Sequence, residues 1–453
     1  MNKEYIKKIR FEYYYRRLNR VLSFLINKEK RVFYYGTVIE GLIPCFNSSY
    51  CKIIKNSDNN PDENQNIFVG QLGEKFDYIV LNEVIGEADD IVLLLNKIHD
   101  LCKDSTRLII IQKNYIWQSL LEFTGKLGFK DKEKTQNWLS IEDLVSYLRS
   151  ANFEYIRSYR DTIMPLKLLF LGSLLNQIFN LLPLFDWLKL DQYLIAKPWF
   201  YCTKLKKHKK NSLSICITVR DEKENIEPLI KSLPHLTESQ EILFVEGHSK
   251  DGTKEEIERV SREYPDKNIK VIGQPGIGQG DAILAGFIGS NNDFIILYEG
   301  DCTSDPADIQ HFYNAINSGC FDFVAGSRFV YPTEGKAMPL ANKLGNIFFS
   351  KWFTLFLGQR TTDVLGGIKA ISKENYQNIH DTWGFLGIND PFGDFELLFG
   401  AVRNSLIIGE IPMHYNARIY GTSKSKVIQH GFILFKMACN GYWTFRTFLT
   451  GKK

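Results

Sequence analysis

A regular alternation of apolar strands and helical stretches in the second half of the chain is the feature that most constrains its fold. Five short apolar segments have strand length, namely SICITV, EILFV, IKVIG, FIILY and FDFVAG. Stretches with helical periodicity separate them, including NIEPLIKSL, TKEEIERVSREY, GDAILAGFIGS and PADIQHFYNAI. This alternation predicts a mostly parallel sheet flanked by helices. In such sheets, ligands bind beyond the carboxyl ends of the strands.

The first half of the chain alternates in the same way, although less regularly. Its strand candidates are RVFYY, CKIIK, FDYIVL and RLIIIQ, and DDIVLLLNKIHDLC forms an amphipathic helix between the last two. A later helix in NWLSIEDLVSYLRSANF has Ser140 as its cap and Glu142 and Asp143 in its first turn. We therefore predict an α/β protein with two domains, each a mostly parallel sheet flanked by helices.

The length and composition support this division. A chain of 453 residues is too long for one hydrophobic core. The lysine-rich stretch KLKKHKKNS is typical of a solvated linker. We predict a first domain over residues 1–203, this linker over 204–212, a second domain over 213–428 and an aromatic and basic helix over 429–453.

Charge and cysteine content exclude several classes of protein. A net charge of +4 is too small for a nucleic-acid binder of this length. Eight cysteines without a CxxC pair indicate reduced thiols, and the charged N-terminus lacks the apolar region of a signal peptide, so we expect a cytoplasmic protein. The apolar run from Leu168 to Phe185 is at the lower limit for a membrane span, and its amides favour a buried or interfacial helix.

Acidic residues follow three of the predicted strands in the second half. Glu222 follows SICITV, Glu246 follows EILFV, and Glu299 and Asp301 follow FIILY. Carboxylates one residue apart are suitable ligands for Mg²⁺ or Mn²⁺, which keep other positions for water and phosphate oxygens. The structural alternative is a helix cap before Pro306, and we assign that role to Asp305.

These motifs resemble the family 2 glycosyltransferases, which have the GT-A fold. The resemblance extends from about residue 212 to 442 and rests on the order of the motifs TVRDEKENI, FVEGHSKDGT, GIGQGDAILAGF, YEGDCTSDP, VAGSRF, TDVLGGIKA, FGDFELLFGA and ARIYGTSKS. It implies a metal-dependent, inverting transfer of sugar from a nucleotide-diphospho-sugar in surface-glycan biosynthesis. It also implies a role for each matching residue: Thr218, Arg220, Glu222 and Glu246 at the nucleotide, Glu299 and Asp301 at the metal, Asp394 as the base, and Lys369, Arg418 and Ser423 at the diphosphate or a phosphate acceptor.

Other positions in these motifs leave alternatives open. Asp281 either contacts the nucleotide or caps its helix, and Asp363 either orients the acceptor or has a structural role. Tyr420 and Gly421 would shape the loop around Arg418. Three positions depart from the usual family pattern, since Glu299 replaces an aspartate, Gln279 a lysine, and Arg220 a tyrosine or asparagine. The glycine cluster GQPGIGQGDA does not complete GxGxxG, and a sugar nucleotidyltransferase would begin with a glycine-rich loop instead of VRDEKEN.

The first half resembles a class I methyltransferase domain. The likeness covers about residues 11–198 and rests on FDYIVLNEVIGEADDI, LCKDSTRLIIIQKNYIW, NWLSIEDL and ANFEYIRS. The cofactor loop departs from the family, because YYGTVIEG has bulky residues between Gly36 and Gly41, and Tyr34 stands where an acid usually ends the first strand. We therefore expect this domain to be degenerate and its binding of S-adenosylmethionine to be weak or absent. The alternatives are a methyltransferase acting on a sugar or glycan and a bifunctional enzyme.

The segment IPMHYNARIYGTSKS makes the second half most similar to enzymes acting on polyprenyl phosphate, such as dolichyl-phosphate mannosyltransferase. The expected partners are a UDP- or GDP-sugar and an acceptor that is either a sugar or a polyprenyl phosphate. The tail HGFILFKMACNGYWTFRTFLTGKK either lies in a membrane interface or packs its aromatic residues on the catalytic domain. Association with the inner face of the membrane therefore stays an open alternative.

Overall fold

The fold was analysed in a computed structural model of the chain. The structure describes residues 15–36, 50–55, 74–88, 90–126, 138–163, 171–199, 212–331, 338–359, 361–387, 390–418, 420 and 427–448. The chain divides into two compact units, residues 1–203 with 445–449 and residues 204–444 with 450–453. Each unit contains its own sheet.

The first unit is built on a six-stranded sheet of order β2-β1-β3-β4-β6-β5. The four strands from β2 to β4 are parallel, and β6 runs antiparallel to both of its neighbours. All four strand candidates from the first half are confirmed as β1 to β4. The strands are β1 (Arg31–Gly36), β2 (Tyr50–Lys55), β3 (Phe76–Asn82), β4 (Cys102–Lys113), β5 (Phe153–Asp161) and β6 (Asp191–Pro198).

Helices flank this sheet and bury their apolar residues against it. The predicted cap is confirmed, since the Ser140 hydroxyl accepts a hydrogen bond from Asp143 N and the Asp143 carboxylate accepts one from Ser140 N. The helices are α1 (15–25), α2 (Val84–Glu87), α3 (Ile91–His99), α4 (Gln118–Lys126), α5 (Ile141–Ser150) and α6 (Leu171–Leu181). Short 3₁₀ turns cover Tyr115–Trp117 and Pro183–Leu188.

In the apolar run of the first half, residues 171–185 lie in α6 and the 3₁₀ turn after it, and residues 168–170 lie outside the described residues. Asn176 and Asn180 are buried, and Asn176 accepts a hydrogen bond from Ile163 N at 2.8 Å. Leu174 and Ile178 are exposed. The amides thus satisfy buried partners on one face while apolar side chains remain on the other, which is the pattern of an amphipathic helix.

The second unit is built on a seven-stranded sheet of order β13-β11-β12-β10-β7-β8-β9. Its strands are parallel except β12, which runs antiparallel between β10 and β11. The five predicted strands are confirmed, whereas β12 and β13 were not predicted. The strands are β7 (Ser212–Val219), β8 (Ser239–Glu246), β9 (Ile269–Gly273), β10 (Phe294–Glu299), β11 (Phe323–Ser327), β12 (Lys369–Ser372) and β13 (Ile408–Pro412).

Helices cover both faces of the second sheet, with one apolar cluster on each face. The Asp305 carboxylate accepts a hydrogen bond from Ala307 N at 2.9 Å, which confirms its predicted cap. The helices are α7 (Lys223–Ser232), α8 (Thr253–Glu263), α9 (Gln279–Gly289), α10 (Ile309–Asn317), α11 (Leu340–Leu357), α12 (Lys373–His380), α13 (Asp394–Arg403) and α14 (Val427–Thr447). Short 3₁₀ turns cover Pro265–Lys267 and Pro306–Asp308.

The C-terminal helix α14 packs aromatic side chains on α11. The centre of the Trp352 ring lies 5.7 Å from the ring centre of Phe435 and 6.0 Å from that of Tyr442. Other aromatic residues of α14 point outward, and Phe432 is 71% exposed. The packing alternative therefore holds for part of this helix, and the membrane-interface alternative stays a prediction. Over the described stretches of the chain, no helix is both long and apolar enough to cross a membrane.

Candidate active site

The predicted acids gather at one edge of the second sheet. Thr218 in β7 is the register partner of Glu299 in β10, and β8, parallel to β7, ends at Glu246. Asp301 follows β10 and Glu222 follows β7 within three residues. Because these strands are parallel, the segments that leave their carboxyl ends extend the same edge. The sequence pattern alone was sufficient to place these acids.

The loops after β7 and β8 are bound to each other. The Asp221 carboxylate accepts a hydrogen bond from Lys250 N at 2.8 Å, and Asp221 N donates to Ser249 Oγ at 2.9 Å. Glu246 Oε1 accepts from Ser249 N in the same loop. Arg220 is exposed, with its Nε 3.9 Å from the Asp221 carboxylate. The two loops thus form a fixed rim that carries the candidate nucleotide-binding residues.

Glu299 is held inside the edge. Its Oε1 accepts a hydrogen bond from Gln279 Nε2 at 2.5 Å, so the residue that replaces the family's lysine contacts this acid. A Cβ on Gly367 would lie 2.7 Å from Glu299 Oε2, so the glycine makes room for the carboxylate. Burial, together with the charges of Asp301 and Asp394, raises the pKa of Glu299 to about 7.

Arg418 bridges two of the acids. Its Nη1 donates to Glu222 Oε1 at 2.9 Å, and its Nη2 donates to Asp301 Oδ2. Glu222 Oε2 also accepts from Asn225 Nδ2 at 2.6 Å, and Asp301 Oδ1 accepts from the backbone and hydroxyl of Thr303 at 3.1 and 2.8 Å. Burial opposes the charge on Arg418, but the two carboxylates outweigh burial and raise its pKa. The positively charged guanidinium of Arg418 thus lies between the carboxylates of Glu222 and Asp301.

Asp394, the candidate base, forms a buried ion pair with Lys369. The Lys369 ammonium donates to Asp394 Oδ1 and to the carbonyl of Gly366, and both charged side chains are nearly inaccessible to solvent. Burial raises the pKa of Asp394 to about 6, although Lys369 opposes this shift. Asp390 fixes the start of α13, because its Oδ2 accepts from the N–H groups one and two residues after Asp394 at 2.8 and 3.2 Å.

A cavity of about 650 Å³ lies beside Arg328. Arg328 donates two hydrogen bonds to the buried Asp363 carboxylate, from Nε to Oδ2 at 2.7 Å and from Nη2 to Oδ1 at 2.9 Å. Asn346 donates to the same carboxylate. Asp363 is therefore a structural partner of an arginine. Arg328, which lines the cavity, also interacts electrostatically with Asp394 and Glu299 of the acidic edge. The cavity is lined by Arg328, Phe329, Tyr331, Lys343, Ile347, Ser350, Lys351, Thr354, Thr361 and Thr362.

The remaining candidates are placed differently. Asp281 lies in the first turn of α9, and its carboxylate accepts a hydrogen bond from Gly276 N at 2.7 Å, which closes the loop before the helix. Tyr420 is 46% exposed. Ser423 and Gly421 lie outside the described residues. Sequence reasoning gave no role to Arg328 or Asp390, and their only signals were the arginine in VAGSRF and an acid four residues before Asp394.

The chemistry of the acidic edge fits a divalent cation. Asp301 and Glu299 supply hard carboxylate oxygens. Asp301 already binds one positively charged group, the guanidinium of Arg418. Among the described residues, no three His, Cys, Asp or Glu side chains converge as a closed ligand set. Two carboxylates plus solvent and phosphate oxygens are nevertheless a usual environment for Mg²⁺ or Mn²⁺.

The described part of the first sheet does not fit S-adenosylmethionine. Tyr34, at the end of β1, is fully buried and its hydroxyl accepts a hydrogen bond from Asn82 Nδ2 at 2.9 Å. A Cβ on Gly36 would lie 2.2 Å from Asn82 O, so β1 and β3 are in close contact here. A buried phenol thus replaces the expected carboxylate. Residues 37–49, which include most of YYGTVIEG, lie outside the described residues.

The two units match two different family models. A mostly parallel sheet with acids at the carboxyl ends of its strands has the arrangement in which open α/β domains bind ligands. Residues 214–380 match the glycosyl transferase family 2 model, and residues 6–158 match a methyltransferase domain model. The protein therefore combines a domain that matches the family 2 glycosyltransferases with an N-terminal methyltransferase-like domain.

Three curated relatives are each similar to a little under half of the chain. Glycosyltransferase AglJ of Haloferax volcanii is 26% identical over 43% of this chain and 60% of its own length. Dolichol-phosphate mannosyltransferase of Pyrococcus furiosus is 26% identical over 47% of this chain and 59% of its own. Polyprenol monophosphomannose synthase of Mycolicibacterium smegmatis is 24% identical over 49% and 84%. The chain thus spans about 60% of the length of the first two.

Proposed function

We propose that this protein is a metal-dependent, inverting glycosyltransferase that moves a sugar from a nucleotide-diphospho-sugar to a lipid-linked phosphate in surface-glycan biosynthesis. The observation that carries this proposal is the edge of the second sheet. There Arg418 bridges Glu222 and Asp301, and Glu299 lies near Asp301 and the buried pair of Lys369 and Asp394. Acids that hold a cation and basic groups that bind phosphate are both needed to release a diphosphate.

The donor would lie along this edge. Thr218, Arg220, Glu222 and Glu246 would line the nucleoside site, with Glu246 accepting a hydrogen bond from the base. A divalent cation held by Glu299 and Asp301 would supply Lewis-acid stabilisation of the diphosphate. Arg418 would bind the same diphosphate, since a guanidinium forms paired hydrogen bonds to phosphate oxygens.

The acceptor would enter through the cavity beside Arg328. An acceptor oxygen would form a bond to the anomeric carbon while the bond from that carbon to the diphosphate breaks, which inverts the configuration. A phosphate acceptor is already ionised at neutral pH, so Asp394 would not need to remove a proton from it. The pairing of Asp394 with Lys369 supports this choice over a hydroxyl acceptor, because the Asp394 oxygen Oδ1 is already engaged by the ammonium.

The surface around the cavity suits a lipid-linked acceptor. Helices α11 and α14 are neighbours, and each leaves large apolar side chains exposed between exposed lysines. Such surfaces bind membrane interfaces that contain anionic lipids. We propose that this face rests on the inner surface of the membrane. Its apolar residues are Leu340, Leu344, Phe348, Leu355, Phe432, Phe435 and Trp443, and its lysines are Lys343, Lys351 and Lys436.

Ligand-dependent thermal stability tests this function. The protein is heated with UDP, GDP or CDP, each with and without Mn²⁺, and with S-adenosylmethionine. A ligand at 100 times its dissociation constant stabilises the native state by about 2.7 kcal/mol, which is easily detected. We expect a Mn²⁺-dependent rise with UDP or GDP that disappears in the Glu299→Ala/Asp301→Ala variant.

The control is Arg259→Ala, which removes a surface arginine of α8 that pairs with Glu227, Glu256 and Glu263. This variant should keep the full response. If S-adenosylmethionine alone stabilises the protein, the chemistry belongs to the first unit and the proposal is wrong. The protein is then incubated with a sugar donor of the nucleoside diphosphate that stabilises it and with a short polyprenyl phosphate. NMR of the product should show an inverted anomeric configuration.

A further inference from the structure

The guanidinium of Arg418 holds together acids that come from two separate strands. Glu222 belongs to the loop after β7 and Asp301 to the loop after β10. Arg418 lies 196 residues from Glu222 in sequence, and its side chain is 23% exposed. The contacts to both carboxylates are charge-assisted hydrogen bonds, which are about twice as strong as neutral ones.

Both oxygens of Asp301 are already engaged in this arrangement. Oδ1 accepts the hydrogen bonds from Thr303, and Oδ2 accepts the bond from Arg418. The bonds from Thr303 are local and orient the carboxylate, whereas Arg418 brings the only positive charge recorded on it among the described residues. A divalent cation that binds Asp301 Oδ2 would meet the like charge of the guanidinium at the same oxygen, so Arg418 opposes its binding.

We propose that Arg418 is a built-in competitor of the divalent cation, and that it gives up Asp301 for the cation and then binds the diphosphate. This inference rests on the proposed function. While the donor is absent, Arg418 neutralises Glu222 and Asp301 and keeps the affinity for a free cation low. When the cation arrives with a nucleoside diphosphate, the released guanidinium finds new anionic partners. The two ligands therefore bind cooperatively.

Mn²⁺ binding, measured by the paramagnetic resonance signal of the free ion, tests this exchange. The full-length protein is titrated with Mn²⁺ alone and with Mn²⁺ in the presence of UDP or GDP. For Arg418→Ala we expect Mn²⁺ alone to bind about tenfold more tightly, because about 1.4 kcal/mol of competing contacts is lost. The same variant should bind Mn²⁺ with the diphosphate more weakly than the unchanged protein does.

These opposite changes distinguish competition from a merely structural role, which would weaken both binding steps. Arg418→Gln fills a similar space without charge and should behave in the same way, so a folding defect of the alanine variant would not hide the effect. Arg259→Ala is the matched control and should change neither titration. A thermal scan confirms that each variant is folded.

The results also separate the two proposals. If both Arg418 variants bind Mn²⁺ alone no more tightly than the unchanged protein, the competition is refuted, whereas the proposed function stands as long as Asp301→Asn abolishes Mn²⁺ binding. If the unchanged protein binds no Mn²⁺ with either diphosphate, the proposed function fails, and this inference fails with it. Tighter binding of Mn²⁺ alone together with weaker binding alongside the diphosphate supports both.

Discussion

Replacing Lys369 by methionine tests how the candidate base Asp394 is held. Methionine keeps most of the volume of lysine but leaves the buried Asp394 carboxylate without its ammonium partner. Breaking a buried ion pair from one side costs about 3–5 kcal/mol. In a unit of this size each kcal/mol lowers the melting temperature by roughly 2–4 °C. At pH 8 we therefore expect Lys369→Met to lower the melting temperature by about 10 °C.

The loss should depend on pH in a definite direction. Burial already raises the pKa of Asp394 to about 6, and removal of the ammonium raises it further. A carboxyl whose pKa is higher in the folded than in the unfolded state loses stability as the pH rises, so the defect should be large at pH 8 and small at pH 5. The double variant Lys369→Met/Asp394→Asn should regain most of the loss at pH 8. A single variant that melts within 2 °C of the unchanged protein at pH 8 would refute this account, and so would a double variant no more stable than the single one.

Three further substitutions probe the surroundings of the site and the first unit. Gly280→Ala should lower the melting temperature by several degrees, because its Cβ would lie 2.4 Å from Asp390 O and force apart α9 and the start of α13. An unchanged melting temperature would show that the backbone can move to accommodate the added methyl group. Asp191→Asn should stabilise the first unit at pH 8 but not at pH 4, because burial and the charge of Asp161 raise the pKa of Asp191 to about 7. Urea unfolding at both pH values measures this, and an equal change in unfolding free energy at the two pH values would contradict it. Arg328→Lys should raise the KM for a polyprenyl phosphate more than tenfold while the response to the donor diphosphate is retained; an unchanged KM would move the acceptor away from the cavity.

Local patterns in the sequence were sufficient for the elements and for much of the acidic edge. Strand length and helical periodicity placed nine of the thirteen strands in the described residues, β1 to β4 and β7 to β11. Capping chemistry placed Ser140 and Asp305, since a cap depends only on residues a few positions away. Glu222, Glu246 and Glu299 followed from the rule that parallel strands end at one edge.

The pairing of charges in the site could not be read from the sequence. Lys369 and Asp394 are 25 residues apart, Arg328 and Asp363 are 35 apart, and Arg418 is far from both of its acids. Each pair depends on how distant segments pack, and no local periodicity reports this. The resemblance to a family named Lys369, Asp394 and Arg418 as candidates, but it could not say that Lys369 and Arg418 neutralise acids of the same site.

The short strand β12 explains how Lys369 comes to lie beside Asp394. Because it runs antiparallel between β10 and β11, its first residue, Lys369, pairs with Leu297 near the carboxyl end of β10. A parallel strand in this position would carry its first residue to the opposite edge, far from Asp394. The approach to this edge is narrow, since a Cβ on Gly367 would meet Glu299 Oε2 at 2.7 Å. The glycine pair in TDVLGGIKA therefore lets β12 deliver a buried ammonium beside the acids, and a side chain at Gly367 would displace Glu299 from the edge.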